Sequence, residues 1–458
     1  MRKLSLFSFL HIPILLTLSS LSVPTAFAAC QSPAAFGSWL QGFKKDAVAQ
    51  GISPGVVSEA LDGLTYDPSV IAKDRGQSVF AQSFLQFSGR MVSANRLSVG
   101  SSLLKKNATT FARIEQQYGV PGPVLVGFWG LETDFGKVMG NMETLRSLAT
   151  LAFDCRRPDE FKEQLMDALR VIQRGDLSPS EMHGPWAGEV GQFQFVPSVY
   201  YKYAVDFDGD GTRNLISDTP DALASAANYL NGLGWQPNQP WIEEVRVPAN
   251  LPWDQADVTI KKPRAFWAQH GVTYPSGKPI PADNVQVGLH LPMGRNGPAF
   301  ITYPNFDVYL EWNKSLVYST TAAYYASRLA GAPPLSQGNA PVETLSLPEM
   351  KELQQLLAKR GFDVGKIDGV VGASTRDAIR AMQVKYGLPP DGYPSEELRP
   401  AAQRVASRRV AASWSTVALR EECPLRRLVD VACFNAKRAS AWCADARSGH
   451  QSYKPLVT

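Results

Sequence analysis

The stretch Gly127-Phe128-Trp129-Gly130-Leu131-Glu132-Thr133-Asp134-Phe135-Gly136 decides how this chain reads. Pro121 and Pro123 precede it, and proline suits the first turn of a helix, where its missing N–H is no loss. Gly136 follows as a stop signal. Between these marks Val124, Phe128, Leu131, Glu132 and Phe135 recur at helical spacing, which predicts one apolar stripe. Glu132 then points where an apolar side chain belongs. A carboxyl facing a partly apolar cleft is held towards its protonated form and is a candidate general acid. For a lone glutamate the plainer reading is a carboxylate at the rim of a core face, solvated or paired with an arginine. The residues downstream favour the acid.

The first of these is Ala187-Gly188-Glu189-Val190-Gly191-Gln192-Phe193-Gln194-Phe195-Val196-Pro197-Ser198, dense in glycine, glutamine and aromatics. Glutamine amides hydrogen-bond sugar hydroxyls and aromatic faces lie against sugar rings. Taken alone, such a run is more often simply a loop. Next, Asp206-Phe207-Asp208-Gly209-Asp210-Gly211 has Asp at positions 1, 3 and 5 and Gly at 6. That is the opening of a calcium loop of the EF-hand type, in which oxygen ligands surround a hard cation. Position 12 is Ser217 where a bidentate Glu is usual, so Asp218 or Asp221 has to close the shell. The competing reading is a solvated Asp/Gly turn. Other chemistry is missing from the sequence: there is no Gly-x-Ser-x-Gly elbow, no phosphate-binding glycine loop and no His-Glu-x-x-His. The five histidines are scattered, which argues against a zinc amidase or peptidase.

Length and composition set the frame. At 458 residues, with 44% hydrophobic and 19% charged, the chain suits two or three soluble domains. Net charge is +4, but residues 401–458 hold ten Lys or Arg against four acids, so the rest is slightly negative and no nucleic-acid partner is expected. Residues 1–28 read as an export signal: Arg2 and Lys3, an apolar run to Leu21, then Ala26-Phe27-Ala28 as a cleavage site. Pro13 and the Ser/Thr-rich second half weaken this run as a retained membrane helix. Cys30 is positioned for lipidation, although Phe27 is a poor fit to a lipobox; a membrane association is expected only through that lipid. Export permits disulfides, and Cys30–Cys155 is one candidate bridge among five cysteines. Cys423, Cys433 and Cys443 lack metal-ligand spacing.

The periodicity predicts helices over 36–50, 54–61, 107–118, 145–153, 161–174, 221–233 and 312–329, with a strand at 284–291 in a Pro- and Trp-rich segment. Residues 333–343 read as a linker. A small module follows over 344–400, with helices at 348–360 and from Ser374, where Asp377 suggests a capping box, to about Tyr386. The tail 401–458 has no periodicity and is expected to be poorly ordered.

These motifs together resemble the membrane-bound lytic transglycosylase B family of peptidoglycan-cleaving enzymes. The resemblance covers roughly residues 33–332 and rests on Trp129 to Thr133, Gly191 to Ser198, the Asp206 loop and Trp312-Asn313-Lys314-Ser315-Leu316-Val317-Tyr318. Residues 344–398 resemble a three-helix peptidoglycan-binding module through Gly361-Phe362, Asp368-Gly369 and the stretch from Gly372 to Met382. The resemblance implies a mainly α, lysozyme-like catalytic domain (29–332) with a small β-containing region, exported to the periplasm and expected to be a monomer. It implies a non-hydrolytic cut between N-acetylmuramic acid and N-acetylglucosamine with no cofactor needed for the chemistry. Glu132 would serve as acid and then base, the C6 hydroxyl closing on C1 to a 1,6-anhydro product. Ordinary glycosidases need two carboxylates, whereas an intramolecular nucleophile removes the need for the second. Asp134, two residues on, turns about 200° away from Glu132 on a helix and is no partner.

The same resemblance implies Gln194, Phe195, Asn313, Tyr318, Arg156 and Arg157 as substrate-binding residues. It implies Asp206, Asp208, Asp210, Thr212 and Asp221 as the calcium site, with Asp221 displaced by one position. Some members have a serine near the cleft where this chain has Pro185. A hydrolytic muramidase, using Glu189 or Asp134 to activate water, and an inactive wall-binding scaffold are the alternatives.

Overall fold

The computed structural model describes residues 30, 32–76, 82–336, 338–395 and 398. The expectations for the export signal and for the tail 401–458 lie outside the described residues. Helices dominate, as the periodicity predicts: Phe36–Ala49, Pro54–Leu61, Ala108–Tyr118, Thr144–Phe153, Pro158–Arg174 and Thr219–Gly232 stand within a few residues of their predicted bounds.

The central helix runs over Gly122–Thr133 with proline in its first turn. It differs from the predicted amphipathic stripe. Val124, Leu125, Val126, Phe128, Trp129 and Leu131 are all buried, so every face of the helix is covered. Such a helix is a core element rather than a surface one. Its end also differs. Asp134 (φ 50°) and Phe135 (φ 64°) both take left-handed backbone, so the turn falls before Gly136 and Phe135 lies beyond the helix. Asp134 faces Arg96, with Oδ1 accepting from Nε at 3.2 Å.

Two glycines let the central helix sit deep in the core. A Cβ on Gly130 would lie 2.9 Å from the Phe135 ring and 3.0 Å from Tyr325. One on Gly127 would meet Ala322 and Ala326 at 3.5 Å, so here the space is ordinary contact. Tyr325, Ala322 and Ala326 belong to the helix Leu316–Leu329, which packs along the central helix.

The predicted helix 312–329 begins only at Leu316 and runs to Leu329, and a separate helix that the periodicity did not predict, Pro304–Trp312, precedes it. The break is an Asx turn: Asn313 Oδ1 accepts the Ser315 N–H at 2.9 Å, and Ser315 Oγ caps the next helix by accepting from the Tyr318 N–H.

A four-stranded antiparallel sheet holds Ile242–Val245, Ala299–Thr302, Gln286–His290 and Lys262–Pro263 in that spatial order. Ile242 pairs with Thr302, and Gly288 pairs with Thr302 from the other side. Its own apolar cluster, around Trp267, Val287, Leu289 and Ile301, makes it a distinct layer beside the helical core.

The stretch 333–343 does connect two folded parts, but it is pinned along its course. Leu335 N–H donates to the Tyr324 hydroxyl, and Asn339 Nδ2 donates to the Val247 carbonyl. The small module packs helices Leu347–Ala358 and Ala373–Tyr386 around Met350, Leu353, Ile379 and Met382. Its second helix opens at Gly372, and Asp377 pairs with Arg380 instead of forming the predicted box with Ser374. Two of the three expected helices stand among the described residues of the module. The module is docked on the sheet layer: Arg380 pairs with Asp257 at 2.7 Å, and the buried Arg376 donates to the Leu291 carbonyl at 2.5 Å.

Candidate active site

The break at Asn313 brings two donors onto Glu132. Trp312 ends one helix and Tyr318 lies in the first turn of the next. The Trp312 indole Nε1 donates to Glu132 Oε1 at 3.0 Å, and the Tyr318 hydroxyl donates to the same oxygen. Trp312 is fixed by aromatic packing: it stacks on Phe128 at 4.3 Å and meets Tyr229 and Phe195 at 5.3 and 5.6 Å. Glu132 is half-buried. Burial pushes its carboxyl up to about 7, while the Tyr318 and Trp312 hydrogen bonds pull it back. A carboxylic acid poised near neutrality can give up a proton and take one back.

The turn 185–195 closes against the end of the central helix. Val190 and Phe195 pair as a short antiparallel bridge, and Gly191 at φ 81° makes the turn between them. Thr133 Oγ1 donates to the Gln192 carbonyl at 2.7 Å. The Gln192 side chain donates onward to the Ile216 carbonyl at 3.1 Å, so this one residue ties the cleft to the Asp-rich loop. Gln194 takes left-handed backbone at φ 53°, and its amide nitrogen donates to the Gly191 and Met139 carbonyls. Its Oε1 is buried without a partner among the described residues, an acceptor in reserve for a ligand.

Two other expected contacts change meaning. Phe195 is 3% exposed beneath Trp312 and Tyr229, so it supports the indole and presents no face to a sugar. Asn313, also buried, spends its side-chain oxygen on the turn that positions Trp312 and Tyr318. Arg156 and Arg157 converge on Asp74, at 2.7 and 2.9 Å; that carboxylate is 2% exposed. Part of each guanidinium is thereby committed to the fold. Cys155 beside them is joined to Cys30 in a disulfide with the Cα atoms 5.0 Å apart.

The acidic loop has the shape that its spacing predicts. Oxygens of Asp206, Asp208 and Asp210 lie within 4.8 Å of one another, and Gly209 and Gly211 take φ 85° and 94°. Asp221 departs from expectation. Both of its oxygens accept backbone N–H groups, from Phe207 at 2.7 Å and from Asn214 at 3.1 Å, so it braces the loop from behind. Burial, with the Asp218 and Asp208 charges adding to it, pushes Asp221 up to about 6. Thr212 Oγ1 donates to Asp210 at 2.8 Å. Asp218 caps the following helix and faces Asp208, which raises its carboxyl after burial does. An all-oxygen, mutually repelling donor set fits a hard divalent cation.

Sequence reasoning did not assign Trp312 a contact with Glu132, and it gave Glu189 a role only in the hydrolytic alternative. Trp312 stood inside a quoted motif, but its partner lies 180 residues away. Glu189 is 3% exposed, and its Oε2 is among the buried atoms without a partner.

The layout defines a helical, lysozyme-like protein with a hydrogen-bonded acid at the end of its central helix and a second small domain docked beside a β layer. Its relatives agree. The family described as "Transglycosylase SLT domain" matches residues 35–327, and the chain belongs to that family. A peptidoglycan binding domain matches residues 346–401. The membrane-bound lytic murein transglycosylase B of Escherichia coli (strain K12) is 32% identical over 244 residues, covering 52% of this chain and 64% of that protein. SltB3 from Pseudomonas aeruginosa, solved in complex with NAG-anhNAM-pentapeptide, is 39% identical with a TM-score of 0.75, covering 80% of this chain and 99% of that one. The Escherichia coli lytic transglycosylase SLT35, solved in complex with calcium, is 29% identical with a TM-score of 0.56, covering 64% of this chain and 92% of that one. Among the described residues no helix is long and apolar enough to cross a membrane.

Proposed function

We propose that the protein cleaves the glycan strands of peptidoglycan as a lytic transglycosylase, with Glu132 as acid and then base. The observation that carries the reading is one carboxyl, raised to about 7 by burial and held by two donors on a single oxygen. Oε1 is occupied by Trp312 and Tyr318, which leaves Oε2 as the atom that holds the working proton. That proton goes to the glycosidic oxygen between N-acetylmuramic acid and N-acetylglucosamine as the C1–O bond breaks. The carboxylate left behind then takes the proton of the muramyl C6 hydroxyl as that oxygen bonds C1. Positioning an internal nucleophile is worth a high effective molarity, so no second carboxylate is needed to prepare a water. The match to a bound peptidoglycan fragment in SltB3 and the docked binding module support the substrate class.

A calcium ion fits the loop of Asp206, Asp208 and Asp210, where it would neutralise the crowded acids and stiffen the segment that Gln192 ties to the cleft. The site of action is the periplasm. A Cys30–Cys155 disulfide would leave no free sulfur on Cys30 for a lipid.

Mass spectrometry of muropeptides released from purified sacculi tests the reaction. Anhydro-ended products from the native enzyme are expected, and none from Glu132→Gln. Products one water heavier would replace this reading with hydrolysis.

A further inference from the structure

The turn that follows the central helix is held more firmly than a surface turn needs to be, and it presents two exposed side chains. Phe135, a bulky residue, takes left-handed backbone at φ 64°, directly after Asp134 at φ 50°. Such backbone costs free energy in a residue of this kind and persists only where the surroundings enforce it. Here hydrogen bonds enforce it. Phe135 N–H donates to the Trp129 carbonyl at 3.1 Å, Gly136 N–H to Thr133 Oγ1 at 2.9 Å, and Val138 N–H to the Thr133 carbonyl at 2.8 Å. Gln194 Nε2 holds the Met139 carbonyl at 3.3 Å from the facing turn. At Gly140, φ 89°, the backbone runs so close to Gly184 that a Cβ would lie 2.3 Å from its carbonyl carbon. Between these clamps Lys137 and Val138 face solvent, Val138 at 46% exposure. Lys137 has no hydrogen-bond or ion-pair partner among the described residues. Val138 is bonded through its N–H to the residue next to Glu132, so its Cα lies no more than about 11 Å from the Glu132 Cα.

We propose that Lys137 and Val138 are specificity-determining residues that receive the peptide carried by the muramyl unit whose C1 meets Glu132. The proposal rests on the transglycosylase reading above and deepens it by naming the part of the substrate that this rim reads. In peptidoglycan the peptide hangs from the C3 oxygen of the muramyl ring through a lactyl group, so it starts on the same ring as the bond being cut. The peptide bears free carboxylates, and its first units bear methyl groups. Lys137 offers a hydrated ammonium on a flexible stem to a carboxylate. Val138 offers an apolar surface to the lactyl and alanyl methyl groups, and contact removes that surface from water. A clamped turn presents both without the ordering cost that a mobile loop adds on binding. Thr133 holds this turn and adjoins the acid, so one rigid unit meets both the bond and the peptide.

The test measures kcat/KM on glycan strands that carry their peptides and on the same strands stripped of peptide by an amidase. Native enzyme is expected to prefer the peptide-bearing strands by about tenfold, the product of one exposed ion pair and one apolar contact. Lys137→Gln is expected to lose about threefold on peptide-bearing strands and to match native enzyme on stripped ones, with Lys137→Arg recovering most of the loss. Val138→Ser is expected to lose about three- to fivefold, again only where the peptide is present. Converting the peptide carboxylates to amides is expected to cost native enzyme the same factor as Lys137→Gln and to leave that variant unmoved, because both changes remove one contact. A native enzyme indifferent to the peptide overturns the proposal. So do variants whose losses are equal on both substrates, and so does a Lys137→Gln loss that persists on the amidated strands. Native enzyme that releases no anhydro product from either substrate sinks the transglycosylase reading itself, a result separate from any of these.

Discussion

The Tyr318 hydroxyl and the Trp312 indole donate to the same oxygen of Glu132, and a three-residue break between two helices is what brings both there. Donors to a carboxylate favour its ionised form, so they oppose the burial that raises it. Tyr318→Phe is therefore expected to move the alkaline limb of kcat/KM upward. The loss of a hydrogen bond to a charged group is expected to lower kcat about tenfold or more. A downward shift would show that the Tyr318 hydroxyl does not act on Glu132.

Glu132 also links pH to stability. Its carboxyl is raised from 4.5 to about 7 on folding, so both states hold the proton at low pH and no penalty applies. Between about 4.5 and about 7 the unfolded chain gives up this proton while the folded state keeps it, so stability falls across that window and levels off above it. Glu132→Gln keeps an acceptor for Tyr318 and Trp312 and never ionises. At pH 8 it is expected to be more stable than native by about 1–2 kcal/mol, and at pH 4 to be equal. Urea denaturation at the two pH values measures the difference. Activity of the native enzyme should fall above about pH 7 for the same reason.

Calcium should raise the melting temperature. At 100 times its dissociation constant a ligand adds about 2.7 kcal/mol, on the order of 5 °C or more for a domain of this size. Asp208→Asn is expected to abolish that increase. Asp221→Asn should lower stability with or without calcium, since its oxygens hold the Phe207 and Asn214 amides. Differential scanning calorimetry with calcium and with chelator separates the two. Equal melting in both conditions would remove calcium from the loop.

Asp74 holds Arg156 and Arg157 from below. Removing a carboxylate this deeply buried leaves two guanidinium groups without their partner, and Asp74→Ala is expected to cost about 2–4 kcal/mol in chemical denaturation. If the arginines also meet substrate, KM rises in the same variant.

Gly130→Ala is expected to destabilise by about 1–3 kcal/mol, because the added methyl meets the Phe135 and Tyr325 rings at 2.9 and 3.0 Å. Gly127→Ala, at 3.5 Å from its neighbours, should be much milder, and the contrast between the two is the test.

Local signals in the sequence settle much of this protein. Proline starts and apolar spacing gave the helices Phe36–Ala49, Pro54–Leu61, Ala108–Tyr118, Thr144–Phe153, Pro158–Arg174 and Thr219–Gly232 their type and most of their bounds, because capping and periodicity are properties of neighbouring residues, while Pro68–Arg75, Phe84–Met91, Ala94–Lys106 and Pro197–Tyr203 were not delimited. The Asp206 loop and the candidacy of Glu132 were legible for the same reason, whereas Cys30–Cys155, 125 residues apart, was one candidate bridge among five cysteines. Tertiary packing decided the rest. It buried the central helix on all sides, where a stripe was expected, because a helix cannot know how many neighbours will cover it. It turned Asp221 to the loop's own amides and buried Phe195 under Trp312. Above all it brought Trp312 and Tyr318 to Glu132. Those contacts join residues far apart in the chain, and only the folded core, which excludes water there, gives one carboxyl the proton affinity the chemistry needs.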